Sequence, residues 1–221
     1  MQPRLWIVGG PNGSGKSTFA QREIFDRLSQ TPEDAAALAR VNPDKMARRL
    51  AVEEPGLKGD ALSLAAAQRS DAEIDRLIET DASLLVETVL SSDKLLTRVE
   101  RARARNYRVG LIYVLLRHPD LNVGRVALRA STGGHSVPED RIRARWVRSL
   151  ERLPIFAARS HVYSVWDNSY WGEPPELLIE RVGGVRYVSD ACWSLLDDAE
   201  TQPALAAALR ALTEQARPAL H

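Results

Sequence analysis

Gly10-Pro11-Asn12-Gly13-Ser14-Gly15-Lys16-Ser17 sets a lysine and a hydroxyl at the end of a glycine-rich run and fits G-x-x-x-x-G-K-[ST] at every fixed position. The run follows a short apolar segment, Leu5 to Val8, and opens a stretch expected to be helical from Lys16 to about Leu28. Glycines let successive backbone N–H groups curl around phosphate oxygens, and a helix amino terminus adds positive potential. Lys16 would neutralise the terminal phosphates, and the Ser17 hydroxyl would stand on a magnesium ion. Residues 10–17 are therefore the candidate nucleotide site.

Such a site alone suits a switch or motor, a kinase for a small molecule, or a regulated binder. A kinase acting on an alcohol also needs a carboxylate to take the hydroxyl proton and arginines to balance charge on the transferring group. In a parallel sheet these meet at the carboxyl tips of strands. Asp44 follows one such tip, Val41-Asn42-Pro43, although it could equally cap the helix before Lys45. Glu87 ends the run Leu84-Leu85-Val86, where it could join a metal shell or meet a substrate hydroxyl.

Charge is concentrated rather than general. The 221 residues carry 30 basic and 29 acidic side chains, a formal +1 that excludes a surface built to coat nucleic acid or anionic lipid. From Arg101 to Arg152, however, twelve arginines face four acids, a local +8. Arg125 and Arg129 share one helical face, and Arg141, Arg145, Arg148 and Arg152 form a stripe at three-to-four spacing. Between the two expected helices lies Gly133-Gly134-His135. Two basic helices around a glycine turn suit a closing lid, about 121–153, that brings guanidinium groups onto phosphates. His135 could meet a phosphate or simply shape the turn, and metal spacing around it is absent. Asp167-Asn168-Ser169 follows a strand, near a nucleobase or as a plain turn. Trp146, Trp166 and Trp171 read as packing residues. The +8 span lacks interleaved aromatic stacking platforms, so nucleic acid is not the expected partner.

Apolar runs at Leu5–Val8, Ser83–Val86, Val109–Leu116 and Val162–Trp166 alternate with helical stretches at Asp60–Asp81, from Ser92-Asp93 to Asn106, Leu121–Ala130 and Glu139–Leu153. That alternation predicts an α/β fold, a mostly parallel sheet covered by helices on both faces in three layers. Residues 177–217 read as a hairpin about Gly183-Gly184 and an alanine-rich helix, and 1–221 as a single domain. The longest apolar run, Leu111 to Leu116, is too short for a bilayer, and no secretory signal opens the chain, so a cytoplasmic protein without a membrane partner is expected. Cys192 is the single cysteine and reads as a buried structural thiol.

Taken in order, Gly9-Gly10-Pro11-Asn12-Gly13-Ser14-Gly15-Lys16-Ser17-Thr18, Asn42-Pro43-Asp44, Glu87-Thr88, Arg125-Val126 with Arg129, Gly133-Gly134-His135, Val137-Pro138, Arg145 and Asp167-Asn168-Ser169 resemble the zeta toxin family, more narrowly its compact bacterial branch. The resemblance covers about Leu5 to Ser169. It implies a P-loop kinase-like fold with Mg2+ and with ATP or GTP as phosphoryl donor. It further implies transfer to a hydroxyl of a sugar nucleotide such as UDP-N-acetylglucosamine, and a small helical antitoxin as partner. By position, Lys16 matches the phosphate-loop lysine, Asp44 the general base and Glu87, with Thr88, the acceptor side. Arg129 and Arg145 match the lid arginines first, with Arg125, Arg141 and His135 as further substrate contacts. A nucleotide-gated ATPase, acting as a switch without a small-molecule acceptor, is the alternative, which Asp44 disfavours.

Overall fold

The computed structural model describes residues 2–22, 38–132 and 137–214. Strand β1 (Arg4–Gly9) divides its side chains between two covered faces: Leu5 and Ile7 enter one apolar cluster and Val8 the other. The same period of two divides Leu84 and Val86 from Leu85 in β3 (Leu84–Thr88). In β4 (Arg108–Leu115), Leu111, Tyr113 and Leu115 oppose Ile112 and Val114. Burial on both faces is why these segments read as unbroken apolar runs.

With β2 (Ala39–Val41), β5 (Val162–Asp167), β6 (Glu176–Val182) and β7 (Val185–Val188), they form one seven-stranded sheet in the order β2-β3-β1-β4-β5-β6-β7. The first five strands run parallel, and β6 and β7 pair antiparallel as the expected hairpin. Gly9 lies opposite Thr88 and Tyr113, and Leu115 opposite Asp167, so the carboxyl ends of β1, β3, β4 and β5 open on one edge.

Helices cover both faces: α1 (Lys16–Arg22), α2 (Pro43–Glu53), α3 (Gly59–Glu79), α4 (Lys94–Ala104), α5 (Pro119–Ser131), α6 (Glu139–Arg159), α7 (Asp190–Asp197) and α8 (Pro203–Glu214). Ile74 and Ile78 of α3, Val99 of α4, Leu150 of α6 and Leu209 of α8 fill the larger cluster. On the other face Phe19 of α1 meets Trp166 with ring centroids 5.1 Å apart. Among the described residues no helix is long and apolar enough to cross a membrane.

Three elements depart from the sequence expectation. Helix α6 continues through Pro154 to Arg159 instead of ending at Leu153. An interior proline costs about 3 kcal/mol, but Leu153, Phe156 and Ala157 are buried there, and each large side chain returns about 1.5–3 kcal/mol. Helix α7 was not expected; Ser189 Oγ caps it by accepting from Cys192 N at 3.2 Å. Helix α5 begins earlier, where His118 Nδ1 accepts from Asp120 N at 3.2 Å. The continuations expected through 23–37 and past Glu214 lie outside the described residues.

Candidate functional site

Residues 10–17 leave the carboxyl end of β1 and turn into α1. At Gly10, with φ +142°, a Cβ would stand 2.0 Å from Val114 O; at Gly15, with φ +92°, it would stand 2.3 Å from Asn168 Nδ2. Both positions require glycine. Two asparagines tie the loop from outside. Asn122 Nδ2 on α5 donates to Asn12 O at 2.6 Å, and Asn168 Nδ2 after β5 donates to Ser14 O at 2.8 Å. Ser14 Oγ is buried without a hydrogen-bond partner, so a ligand bearing acceptor oxygens would complete the loop.

Lys16 Nζ donates to Pro11 O at 2.7 Å. Burial lowers its pKa to about 8; the carboxylates of Asp44 and Glu87 oppose that shift and the charge of Arg129 adds to it. Ser17 Oγ donates to Glu87 Oε2 at 2.7 Å, and Glu87 is buried at the end of β3. A hydroxyl and a carboxylate side by side are hard oxygen donors of the kind Mg2+ takes beside phosphate and water oxygens. Among the described residues no group of three His, Cys, Asp or Glu side chains forms a metal cage.

Asn42 settles what Asp44 is free to do. Its side chain caps α2 by accepting from Asp44 N at 2.8 Å and Lys45 N at 3.2 Å, with Pro43 in the first turn. Capping therefore falls to Asn42, and the Asp44 carboxylate stays exposed. Its charge acts on both Lys16 and Arg145. Arg145, half-buried on α6, approaches Asn12 Oδ1 with Nη1 at 3.5 Å. Burial and the neighbouring Arg141 and Arg148 lower its pKa, and Asp44 opposes them.

A cavity of about 440 Å³ opens beside this cluster, lined among others by Pro43, Glu87, Thr88, Lys94, Arg145 and Arg148. Thr88 Oγ1 accepts from Leu90 N at 3.1 Å, shaping the loop that follows β3. Lys16, Ser17, Asp44, Glu87, Arg129 and Arg145 are thus brought together. Thr18 follows in the first turn of α1 and is exposed. Arg125 sits elsewhere, beside Gly13, with Nη2 3.4 Å from Ser169 O and its guanidinium 5.5 Å from the Trp171 ring centre. Arg141 is exposed, 3.8 Å from Asp60. Within the basic span, Arg143 pairs with Asp120 and Glu139, and Arg152 with Asp93 at 3.0 Å. His135 lies outside the described residues.

Sequence reasoning missed Lys94 and Asn122, and it misread Trp171. Trp146 and Trp166 are buried, but Trp171 is 75% exposed and packs into no core. The proline-flanked loop Tyr170-Trp171-Gly172-Glu173-Pro174 carried the available signal of a surface position.

A phosphate loop between a central parallel strand and a helix, with a cavity on the same edge, defines a P-loop α/β protein. The sequence profile described as AAA domain, AAA_33, matches residues 5–153, most of the chain, and the chain belongs to that family. A Haemophilus influenzae (strain ATCC 51907 / DSM 11121 / KW20 / Rd) protein described as uncharacterized is 24% identical over 153 residues, 66% of this chain and 99% of its own. The crystal structure of AvrRxo1-ORF1:-ORF2 with ATP contains a chain with a TM-score of 0.66 and 20% identity, covering 97% of this chain and 76% of that one. A structure of the PezAT chromosomal toxin-antitoxin system of Streptococcus pneumoniae gives 0.62 and 14% identity over 96% of this chain and 86% of its own. The shared feature is a P-loop kinase-like fold.

Proposed function

We propose that this protein is an ATP-dependent small-molecule kinase of zeta-toxin type, transferring the γ-phosphate to a hydroxyl of a sugar nucleotide such as UDP-N-acetylglucosamine. The observation that carries the reading is the meeting of Lys16, Asp44, the Ser17–Glu87 pair and Arg145, of which Glu87 and Arg145 also line one cavity. The fold shared with the ATP-bound AvrRxo1 complex and with PezAT supports the donor and the toxin-like class.

Backbone N–H groups of residues 12–17 and the Lys16 ammonium hold the β- and γ-phosphates. Ser17 and Glu87 would hold Mg2+, which when bound spreads the phosphates' negative charge. The acceptor lies in the cavity against Thr88. Asp44 takes the proton from its hydroxyl as that oxygen bonds to the γ-phosphorus, and the bond to the β–γ bridging oxygen breaks to release ADP. Arg129 and Arg145, carried by a lid spanning 121–153, balance the charge of the transferring group. Arg141, Arg125 and His135 complete the lid, a small antitoxin is the protein partner, and the setting is cytoplasmic.

The test is incubation with Mg2+ and γ-labelled ATP, with and without UDP-N-acetylglucosamine, for wild type and Asp44→Ala. Label should reach the sugar nucleotide in wild type, fall at least about 100-fold in the variant, and leave ATP affinity unchanged. Free phosphate alone, released equally by both proteins, would replace the kinase with a nucleotide switch.

A further inference from the structure

Arg145 and Arg148 stand on α6 beside a buried face. Ile142, Trp146, Ser149, Leu150 and Leu153 recur at three-to-four spacing and are all buried. Two of these side chains also bond to backbone at the ends of strands. Trp146 Nε1 donates to Leu116 O, just past β4, at 3.1 Å, and Ser149 Oγ donates to Val89 O, just past β3, at 2.7 Å. The single Ser149 hydroxyl proton is taken by Val89 O, so Tyr113 Oη is the donor in the 2.8 Å contact between the two hydroxyls. Arg145 therefore stands next to one tie and one helical turn before the other.

The loop that Ser149 grips is strained. Leu90, buried and next to Val89, has φ +60°, a conformation that a bulky side chain keeps only where its surroundings over-determine it. Its N–H is held on Thr88 Oγ1 at 3.1 Å, and the carbonyl before it is held by Ser149. Gly9, at the end of β1, completes the arrangement: a Cβ there would stand 3.3 Å from both Leu90 Cδ2 and Tyr113 Cδ2. The root of the phosphate loop, the loop after β3 and α6 thus meet at the same few buried side chains.

We propose that Trp146 and Ser149 are positioning residues that hold Arg145 at the phosphate loop before any nucleotide binds, so that α6 is the fixed one of the two helices spanning 121–153. The proposal rests on reading residues 10–17 as the nucleotide site and Arg145 as a contact of the transferring group. Among the described residues Arg145 makes one hydrogen bond, the 3.5 Å approach to Asn12 Oδ1, and no ion pair. That long contact alone does not place a half-buried guanidinium, which water would otherwise draw outward. The helix places it. A charge set in advance needs no reorganisation as the γ-phosphate transfers.

The test uses the full chain, with ATP turnover and ATP affinity measured for wild type, Ser149→Ala, Arg145→Ala and the two combined. Turnover is counted as label leaving the γ-position, whether it reaches UDP-N-acetylglucosamine or water, so the result does not depend on the acceptor. Ser149→Ala should lower turnover about tenfold with ATP affinity within about twofold of wild type, and should cost less than about twofold once Arg145 is alanine. Tyr113→Phe removes the other hydroxyl and leaves Ser149 on Val89 O, so turnover should stay within about twofold of wild type. If Ser149→Ala does not fold, Trp146→Phe, which keeps an aromatic ring and removes the Nε1 donor, takes its place in the cycle with the same expectation. Hydrogen exchange through residues 142–150 reads the helix without turnover: it should be slow in the free protein and change less than about twofold when Mg2+ and ATP are added. An equal loss from Ser149→Ala in both backgrounds overturns the proposal, because the serine then supports only the fold. Exchange slowed tenfold or more by ATP also overturns it, because the nucleotide then places the helix. Turnover unaffected by Arg145→Ala removes Arg145 from its role and the proposal with it. Label released only to water, with the same cycle, supports the proposal and removes the sugar-nucleotide acceptor; ATP that does not bind removes the nucleotide site and the proposal together.

Discussion

Lys16 meets two opposed demands. Burial drives its pKa from 10.5 to about 8, although Asp44 and Glu87 pull the other way. Phosphate oxygens would restore the charge, so binding a triphosphate raises the pKa again and draws a proton from solvent above pH 8. Calorimetry of ATP binding at pH 8.5, in two buffers of different ionisation enthalpy, should report uptake of most of a proton, and affinity should fall as pH rises further. The uptake should vanish in Lys16→Met; if it persists there, another group titrates. The same shift fixes the sign of a stability effect. A folded pKa below the unfolded one means that the charged lysine opposes folding in full below pH 8, and the penalty fades as pH rises towards 10.5. Lys16→Met should therefore raise Tm by about 2–4 °C at pH 7, about 1 kcal/mol, and the gain should disappear above pH 10.5. A lower Tm at pH 7 would contradict the burial argument.

Helix α2 is the element that presents Asp44, and Asn42 holds its first turn through two hydrogen bonds. Asn42→Ala should cost about 1 kcal/mol in urea denaturation and lower phosphoryl transfer more than ATP affinity, while Asn42→Ser, another capping residue, should restore both. Equal losses of rate and affinity would mean that α2 carries part of the nucleotide site. Helix α6 is held in a comparable way: Ser149 Oγ donates to Val89 O at 2.7 Å and pairs with Tyr113 Oη at 2.8 Å, one residue from Arg148. Arg145 on this held helix should act in transfer, so Arg145→Ala should reduce kcat at least tenfold with ATP affinity nearly unchanged; unchanged kcat would remove it from that role. These elements also mark what the sequence could disclose. The phosphate loop was legible because its chemistry lies within eight consecutive residues. Asp44 and Asn42 are both good caps, and only the geometry distinguishes which one accepts from the α2 amides. Asn122 and Asn168 reach the loop across separations of 110 and 154 residues, which no local pattern encodes. Pro154 read as a helix end because its penalty is local and the burial that offsets it is tertiary. Trp171 read as a packing residue because apolarity records the residue type and not which side of a loop it faces.

Across the molecule, β1 divides the working edge. The chain lays β3 and β2 to one side of it and β4 and β5 to the other, so the cavity with Glu87 and Arg148 opens on the first side and the Trp171 loop follows the second. The phosphate loop lies between them at the end of β1, where the direction of winding changes. In the proposed reaction the γ-phosphate therefore crosses the central strand from a donor half to an acceptor half. Because β1 is hydrogen-bonded along both flanks, to β3 and to β4, the two halves are held apart by the most buried part of the sheet. Independent halves should give independent energies. Arg148→Ala should raise KM for UDP-N-acetylglucosamine about tenfold and leave ATP affinity alone, while Asn168→Ala, which unties the phosphate loop at Ser14 O on the β5 side, should do the reverse. The double variant should then lose kcat/KM as the product of the single losses, to within about twofold. A tenfold departure from that product would mean that filling one half reshapes the other. The phosphate loop and the α5–α6 pair, which touch both sides, would then have to move as the reaction proceeds.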